Sequence, residues 1–329
     1  MKKLFIMGLA AMGLALTACN SDETVEMAKG KAIGFSSFVD KSTRATDFTL
    51  ANLKSMEVYG WRSDVQGDNQ IFNAQKVTVD QNGVGTYLPL KYWEANYTYN
   101  FEAIAPKAGE KGVQFAAAKT GGTITFANDA QTDLIYARAT EKKMPEKITD
   151  DPGKVNFTFK HQLARVKFTF KNTFPANAAA KISVNDVKIT NAYKNGTIAP
   201  ATDAKWNVTN VTNNTFEVSF ANSATKAPTN LVASTGVGET DHMYLIPTDK
   251  EESYEVTFTV TLDQNGVTTD YKHTVPIKTT QKQGLSYNYI AEINQNNINP
   301  DPDSKLYSIE FKADVKGWGD FSNNNFNLK

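Results

Sequence analysis

Short runs in which apolar and polar residues alternate recur along most of this chain, and they constrain its fold more than any other feature. In one run Val256, Phe258 and Val260 alternate with threonines, so a strand here would bury one face and leave the other in water. Asn-Gly pairs between such runs favour tight hairpins, because both turn residues adopt positive φ. These pairs occur at 82–83, 195–196 and 265–266. With no convincing amphipathic helix, the pattern predicts an all-β protein.

Length and apolar content indicate two domains. The chain has 329 residues, 40% of them hydrophobic, which is ample for a core and long for a single domain. An alternating run ends in proline and small residues between 172 and 181, where we expect a domain boundary. Before it, Phe159 and Phe168 lie on opposite parities of one apolar stretch. A strand cannot change faces without an extra residue, so we expect a bulge or bend near Ala164-Arg165.

The charge balance and the motifs argue against a nucleic-acid partner and against catalysis. Lysine and arginine together number 35, as do aspartate and glutamate, so no net field attracts nucleic acid or an anionic membrane. The chain has no HExxH, paired Cys-x-x-Cys, P-loop, dinucleotide glycine fingerprint or Gly-x-Ser-x-Gly elbow. We therefore expect a protein that is not an enzyme and that has no cofactor.

Three further features each allow a functional and a structural interpretation. His161 lies on the apolar parity, and we expect a hydrogen-bonded structural histidine rather than a metal ligand. The segment "NPDPDS" has oxygen ligands for a weak calcium site, but a proline-punctuated linker explains it better. Aromatic residues could line a sugar-binding face, although such residues are more often core or rim. They are Trp61, Trp93 and Trp206.

The single cysteine follows a leader-like segment. Two lysines at positions 2 and 3 precede an apolar run from 4 to 18, the length of a signal-peptide core and too short to span a bilayer. The last residues, "LTAC", resemble the bacterial lipobox, so residues 1–18 are expected to be a lipoprotein signal peptide and Cys19 to be acylated. The acidic run at 21–23 resembles the signal that sends Bacteroides-type lipoproteins to the cell surface.

Both ends of the remaining chain carry strand-like patterns. Near the front, Ile33, Phe35 and Val39 share one parity and Phe38 is out of phase. A polar segment follows in which Arg44 stands between a threonine and an alanine. Near the end, an apolar set alternates with polar residues and precedes an Asn-rich tail. This set is Ile309, Phe311, Ala313 and Val315.

A series of motifs in fixed order resembles the fimbrillin (Mfa-like) family, the type V pilus subunits of Bacteroides-type bacteria. The resemblance covers nearly the whole chain, and one departure is "TTQKQ" before "GLSYNY", where the family often has a tryptophan. The motifs are the lipobox, "STRAT", "YWEANYTYNFEAIAP", "QTDLIYA", "FKHQLARVKF", "MYLIPT", "GLSYNY" and "VKGWGD".

The resemblance implies two tandem β-sandwich domains of transthyretin-like type, at 46–173 and 174–329, behind a lipidated leader at 19–45. It implies an outer membrane lipoprotein precursor, anchored through the lipid on Cys19, that a trypsin-like protease cuts between Arg44 and Ala45. Loss of the leader strand would open an apolar groove. A C-terminal strand from another copy, or from a related pilin, would fill the groove and build an adhesive pilus at the cell surface.

Other interpretations stay open. Arg44 is also compatible with an ordinary loop, and the strand at 309–315 with an ordinary last strand of its own domain. The Asn-rich tail is a second candidate donor. The chain as a whole is also compatible with a non-polymerising anchor or tip protein of the same family, or with a surface glycan-binding lipoprotein.

Overall fold

The computed structural model describes residues 31–39, 47–200, 205–208, 214–218, 231–300 and 308–318. Strands dominate these ranges, with one short 3-10 turn at Ala176–Ala178, so the all-β prediction is confirmed. The first ten strands are β1 (Phe35–Val39), β2 (Ser55–Asp64), β3 (Gly67–Val79), β4 (Val84–Thr86), β5 (Thr98–Ala105), β6 (Val113–Ala116), β7 (Thr123–Ala127), β8 (Ile135–Lys143), β9 (Val155–His161) and β10 (Ala164–Asn172). The others are β11 (Ala180–Thr190), β12 (Asn195–Ile198), β13 (Asn207–Val208), β14 (Thr215–Glu217), β15 (Leu231–Val232), β16 (Val237–Glu239), β17 (Met243–Leu245), β18 (Glu251–Gln264), β19 (Val267–Thr280), β20 (Leu285–Ile293) and β21 (Phe311–Gly317).

Seven strands close into a barrel in the order β1-β4-β3-β2-β5-β8-β9. Their inward side chains, including Phe72, Phe101 and Phe157, form one buried cluster. Strand β9 shows the expected alternation without a break, buried at every odd position from Val155 to His161. The period-2 pattern therefore places one face of each such strand in the core, as apolar burial requires.

Two further sheets pack face to face as a sandwich, which we call the C-terminal sandwich. One sheet has the order β16-β10-β20-β21, with β17 also paired to β10, and the other has the order β14-β11-β18-β19, with β15 paired to β11. A single buried cluster joins their inner faces, and the rings of Phe170 and Phe258 approach to 5.1 Å across it.

A small sheet, β13-β12-β7-β6, packs through a third apolar cluster that includes Tyr59, Ile104 and Tyr244. It combines strands from both sides of the expected boundary, since β7 pairs with β12. Likewise β10, which ends at Asn172, runs parallel to β20. The limits at residues 173 and 174 stay a prediction, and strands on either side of them share sheets.

The change of parity before that boundary has a simple origin. Strand β9 ends at His161, the chain bends at Leu163, and β10 begins in a different sheet. The expected bend is present, but it separates two strands instead of bulging within one. Strand β10 then stays buried on both faces, as parallel central strands commonly are.

The three Asn-Gly pairs adopt three different backbone conformations. Asn265 and Gly266 both take positive φ, at 56° and 83°, and connect β18 to β19 as the sequence predicts. At the second pair only Gly83 is left-handed, with φ of 77°. The third prediction is wrong, because Gly196 lies inside β12, where an added Cβ would come within 2.9 Å of Trp206 Cε3.

Within the described ranges, no helix has the length and apolar character needed to cross a bilayer.

Candidate functional site: the leader strand and the C-terminal strand

Strand β1, which we call the leader strand, completes the barrel. It lies parallel to β9, with Phe35 opposite Val155 and Val39 opposite Phe159, and it lies antiparallel to β4 on its other side. Without it, β4 and β9 would each present an unpaired edge in the closed order of strands. Closure of the barrel therefore depends on the segment that the sequence assigns to the leader.

Backbone hydrogen bonds hold the leader strand and the residues before it from both sides. An isolated bridge between Ala32 and Tyr92 extends the pairing upstream of β1. Removing this segment would leave several donors and acceptors without partners, each costly when buried. The bonds are Ile33 N to Lys91 O (2.8 Å), Trp93 N to Lys31 O (2.9 Å), Ser37 N to Gly83 O (2.8 Å) and Val155 N to Gly34 O (2.8 Å).

Phe35 is the central side chain of the leader strand. It is fully buried, and it occupies a pocket of four aromatic rings. Such ring pairs add stabilisation beyond the apolar area that they bury. Centroid distances from Phe35 are 5.4 Å to Phe72, 5.4 Å to Tyr87, 5.8 Å to Phe101 and 5.7 Å to Phe157.

Two neighbours shape this pocket. Gly85 lies opposite Phe35 on β4, where an added Cβ would come within 3.1 Å of Phe35 Cβ and 2.6 Å of Val77 Cγ1. The Tyr87 hydroxyl donates a hydrogen bond to Ile33 O at 2.8 Å. Burial raises the pKa of Tyr87, although a backbone hydrogen bond with Lys91 opposes the shift. The phenol therefore stays protonated and keeps its donor.

The predicted parity of the leader strand is confirmed. Ile33, Phe35 and Val39 are at most 2% exposed, whereas Phe38 is 52% exposed. The leader strand and Ile33 just before it therefore insert three apolar side chains into the barrel, and Phe38 points outward.

The C-terminal strand β21 lies at the edge of a sheet in its own chain. It runs antiparallel to β20. Ile309 is buried and the ring of Phe311 packs 5.5 Å from Phe168, but Ala313 and Val315 are exposed. Half of the apolar set predicted for the donor strand is thus exposed in the part of the chain that the structure describes. Whether β21 serves as a donor stays a prediction.

Several predicted residues lie outside the described ranges. Cys19, Arg44 and Ala45 belong to this group, as do the Asn-rich tail after Trp318 and the aspartates of "NPDPDS". Among the residues that the structure describes, no group of three or more His, Cys, Asp or Glu side chains is arranged to hold a metal ion.

Two structural interpretations are confirmed. His161 is buried, and its Nδ1 lies 3.1 Å from Asp133 Oδ1. The three tryptophans proposed for a sugar-binding face are core residues, with exposures of 8% for Trp61, 4% for Trp93 and 5% for Trp206. They provide no aromatic platform.

Sequence reasoning missed a buried polar cluster around β10. Its centre is Arg165 on β10, 1% exposed and paired with the buried carboxylate of Asp47. The available signal was a basic residue inside the apolar run "LARVKF", since a charge among core residues requires a buried partner. The partner, Asp47, is 118 residues away in the sequence, and the residues around Arg165 do not indicate which carboxylate pairs with it.

Comparisons with a family model and with solved structures both identify proteins similar to this chain. A family model described as fimbrillin-like matches residues 43–314. A solved fimbrial protein from Bacteroides vulgatus is similar, with 15% identity over 87% of this chain and 99% of the other and a TM-score of 0.64. A candidate cell adhesion protein from Bacteroides uniformis has 16% identity over 87% of this chain and 98% of its own, with a TM-score of 0.50. Comparison with curated proteins gives no match.

Proposed function

The chain belongs to the fimbrillin-like family, and from this premise we propose that it is a structural subunit of a cell-surface pilus that serves adhesion. In this proposal the leader strand is a removable placeholder that keeps the precursor closed. The single observation that carries the proposal is the position of β1, which completes the barrel by pairing with β4 and β9.

The proposed maturation step is cleavage between Arg44 and Ala45 by a trypsin-like protease. Arg44 follows the last described residue of the leader strand, Val39, by five positions. A cut there would break the chain between the leader strand and Asp47, the next described residue, and so separate the strand covalently from the other barrel strands. Non-covalent contacts alone would then hold the leader strand in place.

Loss of the leader strand would leave a groove that lacks both apolar side chains and backbone hydrogen-bond partners. Three buried apolar side chains would vacate it, and at about 1.5–3 kcal/mol each their burial amounts to roughly 5–9 kcal/mol before entropy is counted. The edges of β4 and β9 would also lose their backbone partners. An incoming strand of period 2 satisfies both requirements together.

A donor strand from a second subunit would fill this groove head to tail. Such a contact joins two different surfaces and does not close on itself, so its natural product is a filament. The sequence offers two donors, the β21 set of Ile309, Phe311, Ala313 and Val315 and the tail after Trp318. Other copies of this chain or related pilins are the proposed partners.

Two further features support export and a role at the surface. The lipobox-like "LTAC" would place a lipid on Cys19 and hold the precursor at the outer membrane until cleavage. Solved proteins of similar fold are described as a fimbrial protein and a candidate cell adhesion protein. An anchor or tip role within the same family is the main alternative, and it differs in keeping residues 19–44.

The first experiment is to determine the N-terminus and intact mass of the protein purified from the surface of its own cells. A chain that begins at Ala45, carries no lipid and forms multimers resistant to denaturant would support the pilus subunit. A monomeric chain that begins at acylated Cys19 would exclude that role and favour the anchor.

Matched variants test the processing site. Arg44→Gln should block maturation and leave a lipidated precursor that begins at Cys19. Lys41→Gln, three residues earlier in the same polar segment, should mature normally. Normal maturation of both variants would show that the cut lies elsewhere.

A further inference from the structure

The Arg165 cluster brings Asp47, just behind the predicted processing site, together with Trp318 after the C-terminal strand. We use this name for Asp47, His161, Arg165, Tyr244 and Trp318. Asp47 is the first described residue after the predicted processing site, and Trp318 is the last described residue of the chain. All five residues are buried, with Asp47 at 0% and Trp318 at 4% exposure.

Arg165 uses its guanidinium in three directions. Nη1 pairs with the Asp47 carboxylate, Nε donates to Ser286 Oγ at 2.7 Å, and Nη2 donates to the backbone oxygen of Trp318 at 2.5 Å. The guanidinium carbon also lies 5.2 Å from the centre of the Trp318 ring. One side chain therefore contacts both Asp47, behind the predicted processing site, and Trp318, directly after β21.

Trp318 anchors the end of the C-terminal strand. It follows β21 directly, and its ring stacks on His161 at 4.1 Å and on Tyr244 at 5.8 Å. Its backbone N donates to Gly284 O at 3.2 Å. To leave its own sheet as a complete strand, β21 would have to withdraw this ring and break the hydrogen bond from Arg165.

Hydrogen bonds also hold residues 47 and 48, on the N-terminal side of the cluster. Tyr244 donates from its hydroxyl to Asp47 Oδ1 at 2.6 Å, and Phe48 N donates to Asp133 Oδ2 at 2.8 Å. Asp133 in turn pairs with His161, the residue stacked on Trp318. Two routes thus connect residues 47–48 to Trp318, one through Arg165 and one through His161.

A buried guanidinium depends on its partners. Breaking a buried ion pair by removing one member leaves an uncompensated charge, and this is far more costly than losing an exposed pair. If Asp47 withdraws, Arg165 must move or hydrate, and its bond to Trp318 O weakens. Equilibrium coupling of this kind is reciprocal, so release of Trp318 also weakens the hold on Asp47.

We propose that Arg165 is a positioning residue that couples the N-terminal segment behind the processing site to the retention of β21 on its own sheet. While Asp47 neutralises Arg165, β21 stays paired with β20 in its own chain. The significance for strand exchange rests on the proposed pilus function, but the coupling itself belongs to the single chain.

Hydrogen exchange of the backbone amides of β21, measured on the unprocessed chain, tests the coupling. Asp47 lies outside β21 in the sequence, yet Asp47→Asn should accelerate exchange in β21 by roughly 5- to 150-fold, the range of a typical coupling between sites. Trp318→Ala should accelerate β21 exchange by a similar factor. In the double variant Asp47→Asn/Trp318→Ala, the exchange rate of β21 should be close to that of Trp318→Ala alone. Unchanged β21 exchange in Asp47→Asn would overturn the proposal.

Two controls separate coupling from general loss of stability. Glu102→Gln alters another fully buried carboxylate, one that accepts hydrogen bonds from Gly122 N at 2.6 Å and Tyr136 Oη at 2.5 Å. It should leave β21 exchange unchanged, and equal acceleration by this variant would overturn the proposal. Asp47→Leu combined with Arg165→Met removes both charges and leaves none unpaired, so we expect this double variant to fold even where a single variant does not. Because this double variant lacks the bond from Arg165 to Trp318 O, its β21 amides should still exchange faster than those of the wild type. An exchange rate equal to that of the wild type would overturn the proposal.

These outcomes are independent of polymerisation. A chain that never loses its leader can show the coupling in full, and a chain that forms pili can lack it. Failure of the exchange experiment and failure of the proposed function are therefore distinguishable.

Discussion

The leader strand is the element on which the proposed function depends, and Phe35 is the side chain that tests its contribution. Phe35→Ala removes a fully buried ring from a pocket of four aromatic neighbours. Substitutions of this kind cost about 3–5 kcal/mol through lost transfer energy and the cavity left behind. The ring pairs, at about 0.5–1.5 kcal/mol each, place the expected loss near the top of that range.

The assay is urea unfolding of the unprocessed chain, followed by tryptophan fluorescence. Trp93 is a useful reporter, because it is buried in the barrel and lies edge-on to Tyr99 at 4.7 Å. The variant should unfold at a lower urea concentration with a similar slope, since the area exposed on unfolding hardly changes.

Phe38→Ala is the matched control. Phe38 belongs to the same strand but is 52% exposed, so its loss should change the free energy of unfolding by no more than about 0.5 kcal/mol. Equal losses for the two variants, or a loss below 1 kcal/mol for Phe35→Ala, would refute the reasoning. The leader strand would then contribute little to the closed barrel.

Three further predictions concern single positions. Gly85→Ala places a methyl group 2.6 Å from Val77 Cγ1, and overpacking of this kind should lower the unfolding free energy by about 1–3 kcal/mol in the same urea assay. Gly266→Ala must keep a φ of 83° and should cost about 1–2 kcal/mol, whereas an unchanged midpoint would show that the hairpin adapts. Burial lowers the pKa of His273, although a backbone hydrogen bond with Ile298 opposes the shift. The unfolded chain then binds more protons than the folded one, so unfolding free energy should fall as pH drops below about 6.5. His273→Gln should reduce that dependence, and an identical pH profile would contradict it.

Much of the fold follows from local pattern. Strands such as β9 and β18 alternate between buried and less buried positions as their sequences alternate, because a pleated strand sends successive side chains to opposite faces. The parity of the leader strand was predictable for the same reason. So was the turn at Asn265-Gly266, where two left-handed residues are needed.

Local pattern failed where a tertiary contact imposed a different requirement. Gly196 resembles a turn residue, but it lies in β12, where pairing with β7 and β13 and the nearby Trp206 ring leave no room for a side chain. The parity change after Phe159 resembles a bulge, but the chain moves into another sheet. In both cases the sequence indicates an irregularity without specifying which distant element causes it.

By itself, the sequence determined the strand class, the inward faces of the leader strand and of β9, and the family to which the chain belongs, because these depend on side-chain period and motif order. Only the tertiary structure decided which edges the leader strand closes and that β21 pairs within its own chain. It also decided that Arg165 finds Asp47 and Trp318. Parallel pairing and buried charge pairs join residues more than a hundred positions apart, and the period of a strand carries no information about its partner.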